Sequence, residues 1–332
     1  MKVVTFIGAG SFGTALSTIV AAKGCKVNIF DIDKAHLDRM KDAMENTDYL
    51  PGVKLKGDYH FYDDNKEPLQ EADLVVFALP AQHFRSALSS AAPYIRKDSI
   101  IVNIAKGIEQ KSLKRMSEVA EEFLNMNNFA ILSGPSHAEE VGLGVPTAIS
   151  VSSKSEHTAS AIQEFFTTNR FRLYINDDML GMELAGSLKN VMALGSGIID
   201  GLGYGDNTRA AMITRGLAEM TRLGIKMGAK PETFAGLAGL GDMIVTCTSI
   251  HSRNFRCGQL IGRGIDPEEA KNQIGMVVEG MFTAEAAYEL SLKFNVEMPI
   301  TEAIYKVIQG SISVEDAMEQ LMGRTPVKEL HS

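Results

Sequence analysis

The chain opens Lys2-Val-Val-Thr-Phe-Ile-Gly8-Ala-Gly10-Ser-Phe-Gly13-Thr-Ala-Leu, an apolar, β-branched run that stops at a glycine and passes into a helical pattern. That order restricts the fold more than any other feature. Gly8 tolerates the positive φ needed to turn sharply out of a strand. Gly10 has no Cβ, so a diphosphate can approach the backbone, and Gly13 lets the following helix pack on a sheet. Free N–H groups at the helix start favour an anion. Three glycines mean little in a chain that holds 30. Strand, loop and helix arranged around them mean a dinucleotide site.

An acid follows where such a site wants one. Val27-Asn-Ile-Phe-Asp31 reads as a second strand, after a helix that Gly24 ends. Asp31 then lies at the C-terminal end of that strand, about 20 residues after the glycines, where a carboxylate accepts both adenosine ribose hydroxyls. The same carboxylate repels a 2′-phosphate, which favours NAD over NADP. Ile32 and Asp33 supply no cation for that phosphate, and Lys34 is a candidate.

Apolar strands at Asp58–Tyr62, Leu74–Leu79, Ile100–Ile104 and Phe129–Leu132 alternate with helical stretches such as Ala35–Met44 and Glu67–Glu71. The alternation predicts an α/β domain over residues 1–178, a Rossmann-like doubly wound parallel sheet with helices on both faces. After Asp178 the texture changes. Helix-period segments run through Leu180–Leu202, Asn207–Met227, Met281–Phe294 and Ile300–Gln309, predicting an all-helical C-terminal domain over 179–332.

At 332 residues there is room for two domains, and 45% hydrophobic with 22% charged residues suits a globular chain. A net charge of −8 argues against nucleic acid or an anionic membrane as partner. It permits a small anionic substrate, because local cations decide a small site. Cys25, Cys247 and Cys257 cannot build a disulfide framework, and no apolar run reaches the ~18 residues of a membrane span. Glycines break the apolar run near the start, against a signal peptide. A cytoplasmic protein is expected. Cys247, His251 and Cys257 have neither C-x-x-C pairing nor a fourth ligand, so no metal is expected.

Chemistry is expected where loops leave the strands. Leu79-Pro80-Ala-Gln-His83 follows one strand, and Asn103-Ile-Ala-Lys106-Gly-Ile-Glu109 follows the next. Lys106 either hydrogen-bonds a substrate oxygen or stands solvated before a glycine turn. In Ser133-Gly134-Pro-Ser136-His137-Ala138, Gly134 permits close backbone approach and Ser136 offers a donor to an anion. His137 is either an acid/base group or a structural histidine. Lys189 stands among small and apolar residues in Leu184-Ala-Gly-Ser-Leu-Lys189-Asn190-Val191. Buried, it has a lowered pKa and serves as a base; at the edge of an apolar face, its stem packs and its ammonium stays wet. Gly236, Gly239 and Gly241 mark a tight path to Asp242, and Ser252-Arg253-Asn254 supplies a planar fork and donors for a phosphate or carboxylate.

Taken together, Gly8-Ala-Gly-Ser-Phe-Gly-Thr-Ala15, Lys106-Gly-Ile-Glu109, Ser133-Gly-Pro-Ser-His-Ala-Glu-Glu-Val141, Leu188-Lys-Asn-Val191, Gly236-Leu-Ala-Gly-Leu-Gly-Asp242 and Ser252-Arg-Asn254 resemble the bacterial-type NAD(P)-dependent glycerol-3-phosphate dehydrogenases. The resemblance covers nearly the whole chain. It implies reversible hydride transfer between C2 of sn-glycerol 3-phosphate and the nicotinamide, giving dihydroxyacetone phosphate. In that likeness Lys189 is the general base, with Lys106 and Asp242 as its partners. Gly134 and Ser136 match substrate contacts, and Ser252, Arg253 and Asn254 match the phosphate-holding group. Ser11, Phe12, Lys106, Ala138, Arg253, Val277 and Glu279 match cofactor positions, beside Gly8, Gly10, Gly13 and Asp31. The resemblance also implies a homodimer and a role in phospholipid synthesis. Two positions depart from the family pattern. Phe12 stands where tryptophan is more frequent, and Ile32-Asp33 stand where histidine or arginine often suits a 2′-phosphate. With Asp31 present, NAD is the preferred cofactor expected and NADP the alternative. A reductase of β-hydroxy acid carboxylates and a non-catalytic NAD sensor are the rival readings.

Overall fold

A computed structural model describes residues 1–326, 328 and 329; positions 327 and 330–332, at the end of the expected helical domain, lie outside the described residues. The first half runs β1 (Val3–Ile7), α1 (Ser11–Ala21), β2 (Lys26–Phe30), α2 (Lys34–Ala43), β3 (Asp58–Tyr62), α3 (Lys66–Gln70), β4 (Leu74–Phe77) and α4 (Ala81–Ala91). It continues β5 (Ile100–Asn103), α5 (Met116–Ala120), β6 (Phe129–Ser133), α6 (Ala138–Gly142), β7 (Thr147–Ser153), α7 (Glu156–Phe166) and β8 (Phe171–Ile175). The strands form one sheet in the order β3-β2-β1-β4-β5-β6-β7-β8. The order reverses at β1, and ligands bind outside the carboxyl ends of strands at such a reversal.

Both faces of the sheet are covered, because its strands are apolar on both sides. Val4 and Phe6 of β1 pack with Leu16 of α1, Leu37 of α2 and Ile162 of α7. Ile7 packs on the opposite face with Leu69 of α3, Phe84 of α4 and Val119 of α5. Two strands depart from the all-parallel expectation: β7 runs antiparallel to β6, with Ser133 opposite Ser150, and β8 pairs parallel with β7, so both oppose the first six. The connection through α6 is short and returns at the edge of the sheet that it left, which only an antiparallel neighbour allows. That edge is the carboxyl edge, so residues 134–138 are held over the ligand side.

The helical half runs α8 (Met179–Gly201), α9 (Asp206–Met227), α10 (Pro231–Ala235), a π-helical turn (Leu237–Gly241), α11 (Asp242–Thr248) and α12 (Arg253–Gly262). It closes with α13 (Pro267–Ile274), α14 (Glu279–Phe294), α15 (Pro299–Ile308) and α16 (Val314–Met322). Helix α8 is buried along most of its length. Asp178 caps it, accepting from Gly181 N–H at 2.9 Å while also accepting from Lys230 N–H and the Thr233 hydroxyl at the start of α10. No helix among the described residues is long and apolar enough to cross a membrane.

Helix α12 lies against α8 closely enough that backbone touches backbone. A Cβ at Gly197 would fall 2.0 Å from the Phe255 carbonyl oxygen, and one at Gly258 would fall 2.1 Å from that of Leu194. Gly201 and Gly262 repeat the contact one turn further on. The crossing fixes the N-terminus of α12, with Arg253, relative to Lys189 on α8. Since the clash is with backbone, no rotamer change relieves it, and Gly258→Ala is expected to cost about 3 kcal/mol. Urea unfolding checks this: the midpoint should fall sharply, while Gly205→Ala, at an exposed helix start with φ −85° and open space around it, should cost less.

Candidate active site

Between the carboxyl edge of the sheet and the helical half lies a cavity of about 760 Å³. Gly8, Gly10, Ser11, Phe12, Gly13 and Asp31 line one end, and Ser136, Ala138, Lys189, Asp242 and the Ser252–Asn254 turn line the other. Lys106, Val277 and Glu279 line it as well.

At the first end the three glycines do different work. Gly8 has φ +98°, and a Cβ there would lie 2.6 Å from the Ala78 carbonyl oxygen; at Gly13 it would lie 2.5 Å from Ala78 Cβ. The fold itself requires both. Gly10 has an ordinary φ of −72°, and a Cβ there meets nothing nearer than 3.5 Å. Its missing side chain leaves room at the start of α1, where N–H groups lack intrahelical partners. The cradle fits the diphosphate of a dinucleotide. Asp31 accepts from Ala9 N–H at 2.8 Å and Asp33 N–H at 3.0 Å, so its carboxylate is fixed beside the cradle. Lys34, the candidate cation, pairs instead with Asp63 at 2.9 Å.

At the other end two lysines share one carboxylate. Lys106 donates to Asp242 Oδ2 at 2.6 Å and to the Gly134 carbonyl at 2.9 Å. Lys189 donates to Asp242 Oδ1 at 2.9 Å and to Thr246 Oγ1 at 2.7 Å. The Lys189 side chain is 8% exposed and that of Asp242 2%. Burial lowers the Lys189 pKa to about 8; Asp242 opposes the shift and the charge of Lys106 reinforces it. Burial alone would raise the Asp242 carboxyl, but Lys106 and Lys189 outweigh it and hold the group below the usual carboxylate range. The arrangement is an ammonium that can lose its proton near neutral pH, beside a second cation that can steady a negative oxygen.

Arg253 begins α12 and is partly buried, with no ion pair or side-chain hydrogen bond among the described residues. Burial lowers its pKa against the attraction of Glu279 and Glu139. Ser252 caps α12 by accepting from Phe255 N–H at 3.2 Å. The unpartnered first-turn N–H groups and the guanidinium both suit an anion. Glu279 accepts from Ala81 N–H at 2.9 Å through Oε1. Its buried Oε2 has no partner among the described residues, which suits a hydroxyl or amide donor on a bound cofactor.

Two expected site residues are placed differently from the rest. Gly134 has φ +146°, and its close approach is to Ile149 of β7; it holds Lys106 through its carbonyl instead of lining the cavity. Asn254 lines the cavity, yet donates to Asn190 Oδ1 at 3.0 Å and accepts from Gly280 N–H at 2.8 Å. Asn190 in turn donates to the Lys106 carbonyl at 3.1 Å, tying α12, α14 and the Lys106 loop together. Sequence reasoning gave no role to Thr246 or Asn190. The spacing from Asp242 to Thr246, one helical turn, is the signal that puts Thr246 on the same face.

Comparison with known proteins agrees with this geometry. The family model described as NAD-dependent glycerol-3-phosphate dehydrogenase N-terminus matches residues 3–159, and its C-terminus counterpart matches 178–319. The chain belongs to this glycerol-3-phosphate dehydrogenase family. It is 50% identical over 333 residues to glycerol-3-phosphate dehydrogenase [NAD(P)+] of Bacillus velezensis, covering 99% of this chain and 96% of that one. It is 51% identical over 330 residues to the enzyme of the same name from Carboxydothermus hydrogenoformans, covering 99% and 98%. The crystal structure of glycerol-3-phosphate dehydrogenase from Coxiella burnetii superposes with a TM-score of 0.93 at 37% identity, over 97% of this chain and 99% of that one.

Removing the shared carboxylate leaves two ammonium groups facing each other in a buried site. Asp242→Asn is therefore expected to cost about 3–5 kcal/mol of stability, read as a lower thermal midpoint. A midpoint unchanged from wild type would mean that the lysines have other compensation.

Proposed function

We propose that this chain catalyses reversible oxidation of sn-glycerol 3-phosphate to dihydroxyacetone phosphate with NAD or NADP. The observation that carries the reading is the buried Lys189–Asp242–Lys106 group in the same cavity as the glycine cradle and an unpartnered arginine. The nicotinamide, when bound, supplies the hydride acceptor at C2, or the donor in reverse. Neutral Lys189 takes the proton of the C2 hydroxyl and returns it during reduction. Asp242 fixes the Lys189 ammonium in place, and Thr246 accepts one of its hydrogens. Lys106 stabilises alkoxide character on the C2 oxygen as the hydride leaves. Arg253 and the first turn of α12 hold the phosphate, so that C2 is presented to the nicotinamide in one orientation.

Asp31 is held by two backbone amides and the nearby Lys34 is engaged, so the adenosine end favours ribose hydroxyls and NAD. Homodimer formation, a cytoplasmic location and a supply of glycerol 3-phosphate for phospholipid synthesis accompany the reading on the family likeness alone.

Initial rates of dihydroxyacetone phosphate reduction with NADH and with NADPH test both parts. NADH is expected to be favoured, and phosphate-free dihydroxyacetone to turn over poorly. A preference for NADPH would overturn the Asp31 argument and leave the dehydrogenase reading standing. Turnover of phosphate-free hydroxy acids in place of the phosphate would overturn the substrate.

The base makes a signed pH prediction. Lys189 acts as acceptor only when neutral, so oxidation should rise with pH up to about 8 and level off above it. Reduction needs the ammonium and should stay level below about pH 8 and fall above it. Lys189→Ala should lose roughly 10²–10⁴-fold in kcat while still changing NADH fluorescence on binding.

A further inference from the structure

Two imidazoles at the substrate end take no part in the steps above. His137 follows Ser136, His251 precedes Ser252, and their ring centroids stand 5.7 Å apart at an interplanar angle of 54°. Both line the cavity. His137 Nε2 is 3.2 Å from the Val245 carbonyl of α11, so that nitrogen carries a proton and Nδ1 is the atom that titrates. Lys189 of α8, Asp242 of α11 and Glu139 of α6 act on the same ring, and Arg253 of α12 lines the cavity with it. Burial holds the His137 imidazole below its ordinary pKa, with the Val245 carbonyl opposing and Lys189 adding to the shift. His251 is exposed, and Arg253 and Arg256 line the cavity beside it in sequence.

A phosphate monoester carries ≈ −1.5 to −2 charge near pH 7. Against it stand the half-buried Arg253 and the exposed Arg256, whose charge solvent screens, since Lys106 and Lys189 already share Asp242. One shielded guanidinium and one helix start leave part of a dianion unmatched. A proton on the imidazole pair supplies the difference, and an arriving anion favours that proton in a site where burial otherwise resists it.

We propose that His137 and His251 form a second contact for the substrate phosphate and take up a proton as the dianion binds. The proposal rests on the cavity being a glycerol phosphate dehydrogenase site, and its test separates the two readings. Dihydroxyacetone phosphate is titrated calorimetrically into protein saturated with NAD⁺, a pair that cannot react because both are oxidised. Titrations at pH 7.5 in two buffers with different heats of protonation give the number of protons taken up. Wild type should take up a substantial fraction of a proton, and His137→Gln and His251→Gln should each lose much of it. Glutamine at 137 keeps an N–H donor at the Nε2 position for the Val245 carbonyl, and Lys189 is present throughout, so the difference reports the imidazoles.

In steady state the effect should fall on KM. At pH 6.5 the double variant should show a KM for dihydroxyacetone phosphate several-fold above wild type, approaching the roughly tenfold limit of a one-unit pKa change at lower pH. The two values should converge by pH 8.5, where binding no longer takes up a proton. Equal proton uptake in wild type and variants, or a KM ratio independent of pH, would overturn the proposal while the dehydrogenase reading stands. Wild-type protein alone can overturn it by taking up no proton, whether or not the variants fold. Failure of dihydroxyacetone phosphate to bind at all would sink both readings.

Discussion

A carboxylate removed from water must be met by positive charge, and in this molecule Asp242 is met twice. Lys106 reaches it from the loop after β5, and Lys189 reaches it from the middle of α8. Neither lysine is adjacent to Asp242 in sequence, so the triad exists only when the nucleotide half, α8 and α11 are all in place. The cost of desolvating three charges is offset only by short, well-aligned contacts. The same desolvation lowers the Lys189 pKa to about 8 and makes it a usable base. Stability and chemistry therefore draw on one interaction, with opposite requirements. Tighter pairing steadies the fold, while looser pairing frees the base.

The glycine-lined crossing of α8 and α12 answers the positional half of that problem. Side chains at Gly197 or Gly258 would hold the helices apart, and Arg253 would move away from Lys189. Asn190 and Asn254 then connect this crossing to α14 and to the Lys106 loop by hydrogen bonds. Substrate-sized precision comes from backbone-to-backbone packing, which has no rotamers to relax.

How much of this was legible in sequence depends on what kind of constraint each residue obeys. The glycine cradle and Asp31 were legible because a turn out of a strand, a close approach and a strand-end acid each leave a local mark. The change from α/β to helical texture was legible from periodicity, and the long helices fall within a residue or two of expectation. The burial of Lys189 was not, because spacing alone cannot tell a lysine inside a helix bundle from one at its edge. The reversal of β7 and β8 was hidden too, since strand direction is set by where a connection returns. Gly134 shows the converse: its sequence context suggested a ligand, and its missing side chain answers to Ile149. Thr246 and Asn190 left only a helical spacing, which gains meaning once Asp242 and Lys189 are known to meet.

The division of labour within the glycine motif follows from the same distinction. Gly8 and Gly13 are demanded by Ala78, whatever the protein binds. Gly10 is demanded by nothing in the fold, so its lack of a side chain makes sense only if something else occupies that space. Glu279 supports the argument independently, with one carboxylate oxygen anchored on Ala81 N–H and the other buried without a donor. A buried acceptor left unmade costs stability, and Arg253 nearby is likewise without an ion pair or side-chain hydrogen bond among the described residues. Space without a packing reason and polar atoms without partners converge on one cavity, which is how a fold built to receive two ligands differs from one that merely has a cleft.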